Sequence, residues 1–391
     1  MTESAPAYFD YAATTPMDPR VAAALAECLT LSGLFGNPAS QHFYGREARA
    51  RVEQARAQVA ALIGAAAPQV VWTSGATESN NLAILGTVRA AATLIPKGRT
   101  RHIITARTEH KAVLDPCRRL EQEGCRVTYL TPATDGLVDP LQVRDAISAD
   151  TVLVSIMHVS NEIGVQQDIE AIGRHCRQRE VPLHVDAAQS AGKVEIDLAS
   201  WPVDLLSLTA HKIYGPKGIG ALYVGAQRRA QLQPLIFGGG HERGLRSGTL
   251  ATQQIVAFGL ACELARNERP AEALRLEALR QRLWRGLDSI SGVLLNGHPT
   301  QRVSGILNVS IAGVEGESLL LGLPELALST GAACNSDNDE PSYVLRALGR
   351  STELAQSSLR FSVGRFSSEQ QVDLAIDAVR REVERLRAVA P

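Results

Sequence analysis

The feature that most constrains the fold is an alternation of short apolar runs with helix-like segments between residues 45 and 225. The runs are rich in β-branched residues, as buried strands are, and the segments 46–63, 112–123 and 169–179 have helical spacing. Strands that alternate with helices predict a largely parallel sheet covered on both faces, with ligand sites beyond the carboxyl ends of its strands. The predicted strands are 70–73, 102–105, 126–130, 151–157, 183–185, 205–208 and 221–224.

Residues beyond about 250 predict a second, smaller unit of mixed α and β structure. A helix begins near Gln253, and Pro270 predicts a break before a further helix over 271–287, because proline lacks the backbone N–H donor. The remaining elements are strands 306–311 and 358–363 and a last helix over 369–388.

These patterns predict the fold class and its division into domains. The fold class is α/β, with a large domain built on a mostly parallel sheet and a smaller α+β domain. The large domain is expected over 15–260. The small domain is expected from 1–14 together with 261–391.

Composition excludes several classes of protein. Lys and Arg number 40 against 41 Asp and Glu, so the balanced charge gives no electrostatic reason to expect nucleic acid or an anionic membrane as a partner. A hydrophobic content of 45% excludes a mainly disordered chain. The sequence has no secretory signal pattern and no apolar run of the roughly 18 residues that predict a membrane span. Six cysteines lie far apart without a CxxC pair, as in a reducing compartment, so we expect a soluble, cytoplasmic protein.

Common catalytic templates are absent from the sequence. The phosphate-binding GxxxxGK[ST] motif, the dinucleotide-binding GxGxxG motif and the zinc-binding HExxH motif do not occur, and no Cys/His spacing indicates zinc. The functional site is therefore expected to contain no metal.

The segment from Ser74 to Asn80 follows the predicted strand 70–73 directly and leads into a helix-like stretch. A strand, a turn of small residues and a helix N-terminus present backbone N–H groups and hydroxyls to an anion. Ordinary capping by Ser74 or Thr77, with Glu78 in the first turn, explains the same residues. Taken alone, the segment leaves both interpretations open.

Two further strands end in charged residues. Asp186 ends the run 182–186, and Lys212 follows the run 205–208 through a short polar cluster. Asp186 as a helix cap and Lys212 as a solvated loop residue are the ordinary alternatives. Together with the anion cradle, however, they form the set that pyridoxal 5'-phosphate (PLP) requires: a phosphate cradle, a Schiff-base lysine and a carboxylate for the pyridine nitrogen. His110, after the strand 102–105, is placed to face the cofactor ring.

Cys334 differs from the other cysteines in its surroundings. It lies in the small, polar segment 329–340, where an accessible nucleophilic thiol is expected. Composition alone favours an incidental loop cysteine.

The sequence as a whole resembles the cysteine desulfurases of the housekeeping iron–sulfur-cluster branch, which belong to the class V aminotransferases with the fold-type I PLP architecture. The resemblance covers nearly the whole chain. The motifs that carry it include YAATTPMDPRV, FGNPAS, TSGATESNNLAI, HVDAAQSAGK, HKIYGPKGIGALYV, GGGHERGLRSGT and SSLRFSVGRF.

The resemblance implies a role for each matching residue. Lys212 would be the Schiff-base lysine, His110 would stack on the ring and move protons, and Cys334 would accept the sulfur. Asp186 would pair with the pyridine nitrogen, and Gln189 would donate to the cofactor's phenolic oxygen. The remaining assignments are phosphate contacts for Ala76, Thr77, Thr209, His211 and, from the other subunit, Thr249, and substrate-carboxylate contacts for Asn161 and Arg360.

The implied reaction converts L-cysteine into L-alanine and leaves a persulfide on Cys334. The resemblance also implies a homodimer with shared sites and a sulfur-acceptor protein, which is a cluster scaffold or a thiolation protein. The alternatives are the same chemistry for tRNA or DNA sulfur modification, a selenocysteine lyase, a small-amino-acid aminotransferase, or a relay protein without catalysis.

The sequence departs from the family's usual pattern at a few positions. Ala188 and the pair Thr209–Ala210 replace the more usual Thr and Ser–Gly, although the Thr209 hydroxyl preserves a phosphate contact. Near Cys334, the segment 335–339 adds acidic groups, which disfavour a thiolate or select a different acceptor.

Overall fold

The computed structural model describes residues 5–92, 100–228, 231–330 and 340–389, and its elements follow the predicted alternation closely. The strands are β1 Ala7–Tyr8, β2 Val70–Thr73, β3 His102–Ala106, β4 Arg126–Leu130, β5 Thr151–Met157, β6 Leu183–Asp186, β7 Leu205–Thr209, β8 Gly220–Val224, β9 Val293–Leu295, β10 Ile306–Ile311, β11 Leu326–Ala327, β12 Ser329–Thr330 and β13 Ser358–Ser362. The α-helices are α1 Pro19–Glu27, α2 Phe43–Leu62, α3 Ala76–Ala91, α4 Lys111–Gln122, α5 Pro140–Ala146, α6 Ile169–Gln178, α7 Thr252–Asp288, α8 Gly316–Leu321, α9 Tyr343–Ala347, α10 Thr352–Gln356 and α11 Glu369–Val389.

The larger sheet has seven strands in the order β2-β8-β7-β6-β5-β3-β4. All neighbouring pairs are parallel except those of β8, which is antiparallel to both β2 and β7. The predicted largely parallel sheet is therefore confirmed. Most of its strands are buried along their whole length, which explains why they read as continuous apolar runs rather than as alternating ones.

The smaller sheet has four antiparallel strands in the order β12-β13-β10-β9. Its core includes Leu307 and Phe361 from the sheet, Leu283 from α7 and Val379 from α11. Phe9, near the N-terminus, packs into the same core, so the two ends of the described chain meet there. The predicted domain boundaries remain a prediction.

The break predicted at Pro270 is wrong, because α7 runs from Thr252 to Asp288 with Pro270 inside it. Pro270 is exposed, so water can replace the hydrogen bond that its missing N–H would have made. The two halves of α7 are held by packing against α2 at one end and α11 at the other. Tertiary packing therefore keeps the helix continuous across the proline.

The carboxyl ends of β5, β6 and β7 lie side by side in the larger sheet. Met157 pairs with Asp186, and Asp186 pairs with Ser207, two residues before β7 ends at Thr209. The loops after these strands therefore start from one edge of the sheet, where parallel sheets bind ligands. Among the described ranges, no helix is long and apolar enough to cross a membrane.

Candidate active site

A cavity of about 540 Å³ lies at this edge of the larger sheet. Its volume is in the range of small-molecule sites, roughly 300–1,000 Å³. One of the predicted site residues, Thr249, is not part of its lining. The predicted residues that line it are Ala76, Thr77, His110, Asn161, Asp186, Gln189, Thr209, His211, Lys212 and Arg360.

The cradle predicted after β2 is formed by a tight turn into α3. Gly75 occupies the N-cap position with φ of +155°, a conformation that L side chains rarely adopt, and no side chain caps the helix there. Glu78 instead accepts a hydrogen bond of 2.8 Å from the Ser74 N–H, and Arg246 pairs with Glu78 at 2.9 Å. The first-turn N–H groups have no acceptor within a helix, and Ala76 and Thr77, which carry two of them, line the cavity.

Asp186, at the end of β6, is held in one orientation by two donors. Asn80 Nδ2 donates to Oδ2 at 2.7 Å, and the Ala188 N–H donates to Oδ1 at 2.9 Å. The carboxylate is only 7% exposed, yet it lines the cavity. A buried carboxylate with fixed oxygens suits a cationic ring nitrogen, to which it can offer a charge-assisted hydrogen bond.

His110 lies at the N-cap of α4, after β3. Its Nδ1 accepts a hydrogen bond of 3.0 Å from the Ala112 N–H, which places the proton of the neutral ring on Nε2. Burial lowers the pKa of His110 below its ordinary value. The ring is therefore neutral at physiological pH and carries one defined proton.

Lys212 follows β7 in a short 3-10 turn, Ala210–Lys212, and its neighbour His211 is fixed from the N-terminal segment. His211 Nδ1 lies 3.1 Å from Thr14 Oγ1, and Thr15 Oγ1 donates to the His211 carbonyl at 2.9 Å. Burial, with the nearby lysines, lowers the pKa of His211 to about 4, so this ring is neutral as well. The turn that carries the lysine is thus tied to another part of the chain.

Gln189 is buried and bonded at both ends of its amide. Its Nε2 donates to the Ala12 carbonyl at 2.6 Å, and its Oε1 accepts from Lys193 Nζ at 2.7 Å. Gln189 also lines the cavity, as Asp186 and Lys212 do.

Arg360, on β13, brings the smaller sheet to the cavity. Its Nη1 donates to the Asn161 carbonyl at 3.0 Å, and its Nη2 pairs with Asp10 at 2.7 Å. Its Nε has no hydrogen-bond partner within the described ranges, although it is buried. A guanidinium that is held on two sides and retains unused N–H groups suits a small carboxylate.

Thr249 is exposed and does not line this cavity; it lies on the segment after Glu242. Glu242 anchors that segment: it forms a buried ion pair with Arg56 at 2.7 Å and accepts a hydrogen bond of 2.9 Å from the Trp72 N–H on β2. Cys334 falls outside the residues that the structure describes, so its predicted role stays a prediction.

Sequence reasoning missed the partners of the predicted residues. Asn80 holds Asp186, Lys193 holds Gln189 and Asp10 holds Arg360. Asn80 and Lys193 lie within motifs that already carry predicted residues, but their types alone do not indicate whom they contact. Only the fold joins Asp10 to Arg360, because the two are separated by 350 positions.

The donors around the cavity fit PLP. A helix N-terminus suits a phosphate, the Asp186 carboxylate suits a pyridine nitrogen, and Lys212 contributes an amine to the lining of the same cavity.

Comparison with known proteins agrees with this chemistry. The chain matches the family "Aminotransferase class-V" over residues 7–374. It is 56% identical to the cysteine desulfurase IscS of Aeromonas hydrophila over 387 residues, which cover 99% of this chain and 95% of the relative. A solved structure of a NifS-like protein is 34% identical with a TM-score of 0.89 and covers 97% of this chain and 100% of that one. A second, SspA in complex with cysteine, is 39% identical with a TM-score of 0.81 and covers 93% of this chain and 100% of its own. The chain belongs to the class-V aminotransferase family of PLP-dependent enzymes.

Proposed function

We propose that this protein is a PLP-dependent cysteine desulfurase, which converts L-cysteine into L-alanine and passes the sulfur to Cys334. The observation that carries the proposal is the meeting of Lys212, Asp186 and His110 around one cavity. It is supported by a relative named cysteine desulfurase that is 56% identical over nearly the whole chain. The related SspA structure, which contains cysteine, supports the choice of substrate.

In this proposal the residues of the cavity would bind the cofactor and hold its polar groups. Lys212 would carry it covalently, the cradle at Ala76 and Thr77 would hold the phosphate, and Asp186 would keep the ring nitrogen protonated. Thr209 and His211 add phosphate contacts. When bound, PLP supplies an electron sink that weakens the Cα–H bond of the substrate.

Arg360 and Asn161 are proposed to bind the substrate carboxylate. Because Asp10 and the Asn161 carbonyl already hold Arg360, its side chain loses little conformational freedom when the substrate binds. A carboxylate bound there would hold the substrate in the cavity that Lys212 also lines. The neutral His110, with its proton on Nε2, is suited to exchange a proton with the substrate.

Sulfur leaves the substrate by thiol chemistry on Cys334. The Cys334 thiolate attacks the sulfur of the bound cysteine, the substrate's Cβ–S bond breaks, and Cβ gains a proton, which gives alanine. The products balance without an external oxidant: one sulfur moves from cysteine to the Cys334 thiol, which becomes a persulfide.

The partners and the location belong to the same proposal. Thr249 of a second copy would complete the phosphate site, so we propose a homodimer with shared sites. The outer sulfur of the persulfide would pass to an acceptor protein for iron–sulfur cluster assembly. A persulfide carrier and thiols that stay reduced require a reducing compartment, which supports a cytoplasmic location.

The decisive experiment incubates the purified holoprotein with L-cysteine and dithiothreitol and quantifies alanine and sulfide together. We expect equal release of both products, and loss of both in the Cys334→Ala variant. Cys125→Ala, which removes a buried thiol in the loop after α4, is the matched control and should keep the activity. If a protein with bound cofactor releases neither alanine nor sulfide, the proposal is refuted. Full activity in Cys334→Ala would refute the role of that thiol.

A further inference from the structure

Lys193 is not part of the lining of the active-site cavity, but it contacts Gln189, which is. Its Nζ donates to Gln189 Oε1 at 2.7 Å, four residues earlier in the chain. It lines a separate, smaller cavity with Lys212, Glu272 and Arg365, and it is not part of the lining of the cofactor cavity. Any effect of Lys193 on the cofactor must therefore pass through a neighbour or through its charge.

The hydrogen bonds of Gln189 fix which end of its amide is which. A charged lysine amine has three donors and no acceptor, so the end that faces the ammonium form of Lys193 has to be the oxygen. The Ala12 carbonyl only accepts, so the end that faces it has to be the nitrogen. Gln189 is 3% exposed, and an amide turned the other way would bury an acceptor against the Ala12 carbonyl and a donor against the lysine amine.

With the amide fixed in this way, one N–H of Gln189 is bonded to Ala12 and the other remains for the cavity. The phenolic oxygen of PLP is an acceptor, and a hydrogen bond to it stabilises its anionic form. The nitrogen end of Gln189 can make this bond, whereas the oxygen end would repel the phenolate.

We propose that Lys193 is a positioning residue: it orients the Gln189 amide so that its nitrogen, not its oxygen, faces the phenolic oxygen of the cofactor. The inference rests on the proposed PLP site. It assigns a function to a lysine that touches neither substrate nor cofactor.

The charges around Lys193 give the alternative that a test must separate. Burial, together with the charges of Lys212 and Arg360, lowers the pKa of Lys193 to about 7, against the opposing charge of Glu272. Arg269 and Arg365 face the same small cavity. A cationic Lys193 could therefore act on the cofactor by charge alone, without any role for the amide.

The test is a pH titration of the visible absorption band of the bound cofactor in the Lys193→Met variant. Methionine keeps the length of the side chain but cannot donate to Gln189 Oε1. We expect the midpoint of the titration to rise by about one pH unit, which corresponds to one lost hydrogen bond to the phenolate. Lys193→Arg keeps a donor and should restore the midpoint toward that of the wild type.

Circular dichroism monitors the folding of each variant. If Lys193→Met does not fold, Lys193→Gln replaces it, because a glutamine at position 193 favours neither end of the Gln189 amide.

A double-mutant cycle with Gln189→Leu distinguishes orientation from charge. If Lys193 acts by orienting the amide, Lys193→Met causes no further shift in the Gln189→Leu background. An equal shift in both backgrounds would overturn the inference in favour of a charge effect, and an unchanged midpoint in a folded Lys193→Met would overturn it outright. A wild-type protein without a cofactor band would refute the proposed function instead.

Discussion

Individual side chains in the cavity are held by partners that leave each of them one orientation. Asp186 is fixed by Asn80 and a backbone N–H, and His110 is fixed by the backbone of its own helix. These hydrogen bonds place the side chains before the substrate arrives, so no free energy of reorganisation is needed during the reaction. At this scale the site is preorganised before any ligand is bound.

Asp186→Asn tests the proposed partner of the ring nitrogen. Asparagine has nearly the same shape but no charge, so the ring nitrogen would lose its proton and the cofactor its strength as an electron sink. We expect turnover, measured as alanine formation, to fall roughly a hundredfold or more, with cofactor still bound.

The matched control is Asp204→Asn. Asp204 precedes β7, accepts from the Leu183 N–H at 2.9 Å and pairs with Arg228 at 2.8 Å, away from the cavity. The Asp204→Asn variant should lose some stability and keep the turnover of the wild type. Comparable activity in the two variants would contradict the role of Asp186.

The cradle depends on how closely two elements approach each other. Gly220, the first residue of β8, lies against the turn that begins α3: a Cβ on Gly220 would lie 2.4 Å from the Leu208 carbonyl oxygen and 2.6 Å from Gly75 Cα. Both atoms belong to the backbone, so they cannot rotate away. Glycine at this position is thus a requirement of the packing between strand and cradle.

Gly220→Ala should therefore move the cradle and weaken PLP binding. Overpacking of this kind costs about 1–3 kcal/mol, and part of it would appear as a lower affinity for the cofactor. Equilibrium dialysis with PLP measures the affinity, and thermal unfolding measures the stability. Gly225→Ala, just beyond the other end of β8, meets its nearest atom at 3.2 Å and should bind PLP as the wild type does. Equal affinities in both variants would contradict the explanation.

Stability of the whole molecule should depend on a buried carboxyl group. Glu162 is 3% exposed, and burial raises its pKa to about 8, against the hydrogen bond from Ser342 and the charge of Arg360. The folded protein keeps this proton between pH 4.5 and 8, while the unfolded chain releases it. The stabilisation is therefore complete below pH 4.5 and is lost as the pH rises to about 8.

Glu162→Gln removes this dependence. Between pH 5 and 8 the unfolding free energy of the wild type should fall relative to that of the variant by about 1.4 kcal/mol per pH unit. Urea unfolding at several pH values measures the difference. Parallel curves for the two proteins would show that Glu162 does not titrate as its burial indicates.

The proposed shared site makes a prediction about the assembled molecule. Lys212→Ala lacks the amine, and Thr249→Asp would place a negative charge near the partner's cofactor phosphate, so each variant should be inactive alone. In a mixed dimer, one site would combine an intact Lys212 with an intact Thr249 from the other copy. Co-expression with two affinity tags, followed by the alanine assay, should therefore recover activity. Mixed dimers as inactive as the parents would contradict shared sites.

The sequence by itself determined the elements and the chemical types at the site. Buried parallel strands are continuous apolar runs, so their bounds were predicted within a residue or two, and the residues that follow them, such as Asp186 and Lys212, could be assigned to one edge of the sheet. The motifs were long enough to indicate the family, which the comparison then confirmed.

Only the tertiary structure decided which residues hold those side chains and where a local rule fails. Pro270 remains helical because α7 is packed at both ends, which local propensity does not include. Asp10 meets Arg360, and Gly220 crowds Gly75, through contacts between segments that are distant in sequence. The physical reason is that hydrogen-bond partners and steric contacts are properties of positions in space, and a sequence pattern reports only the local preference of each segment.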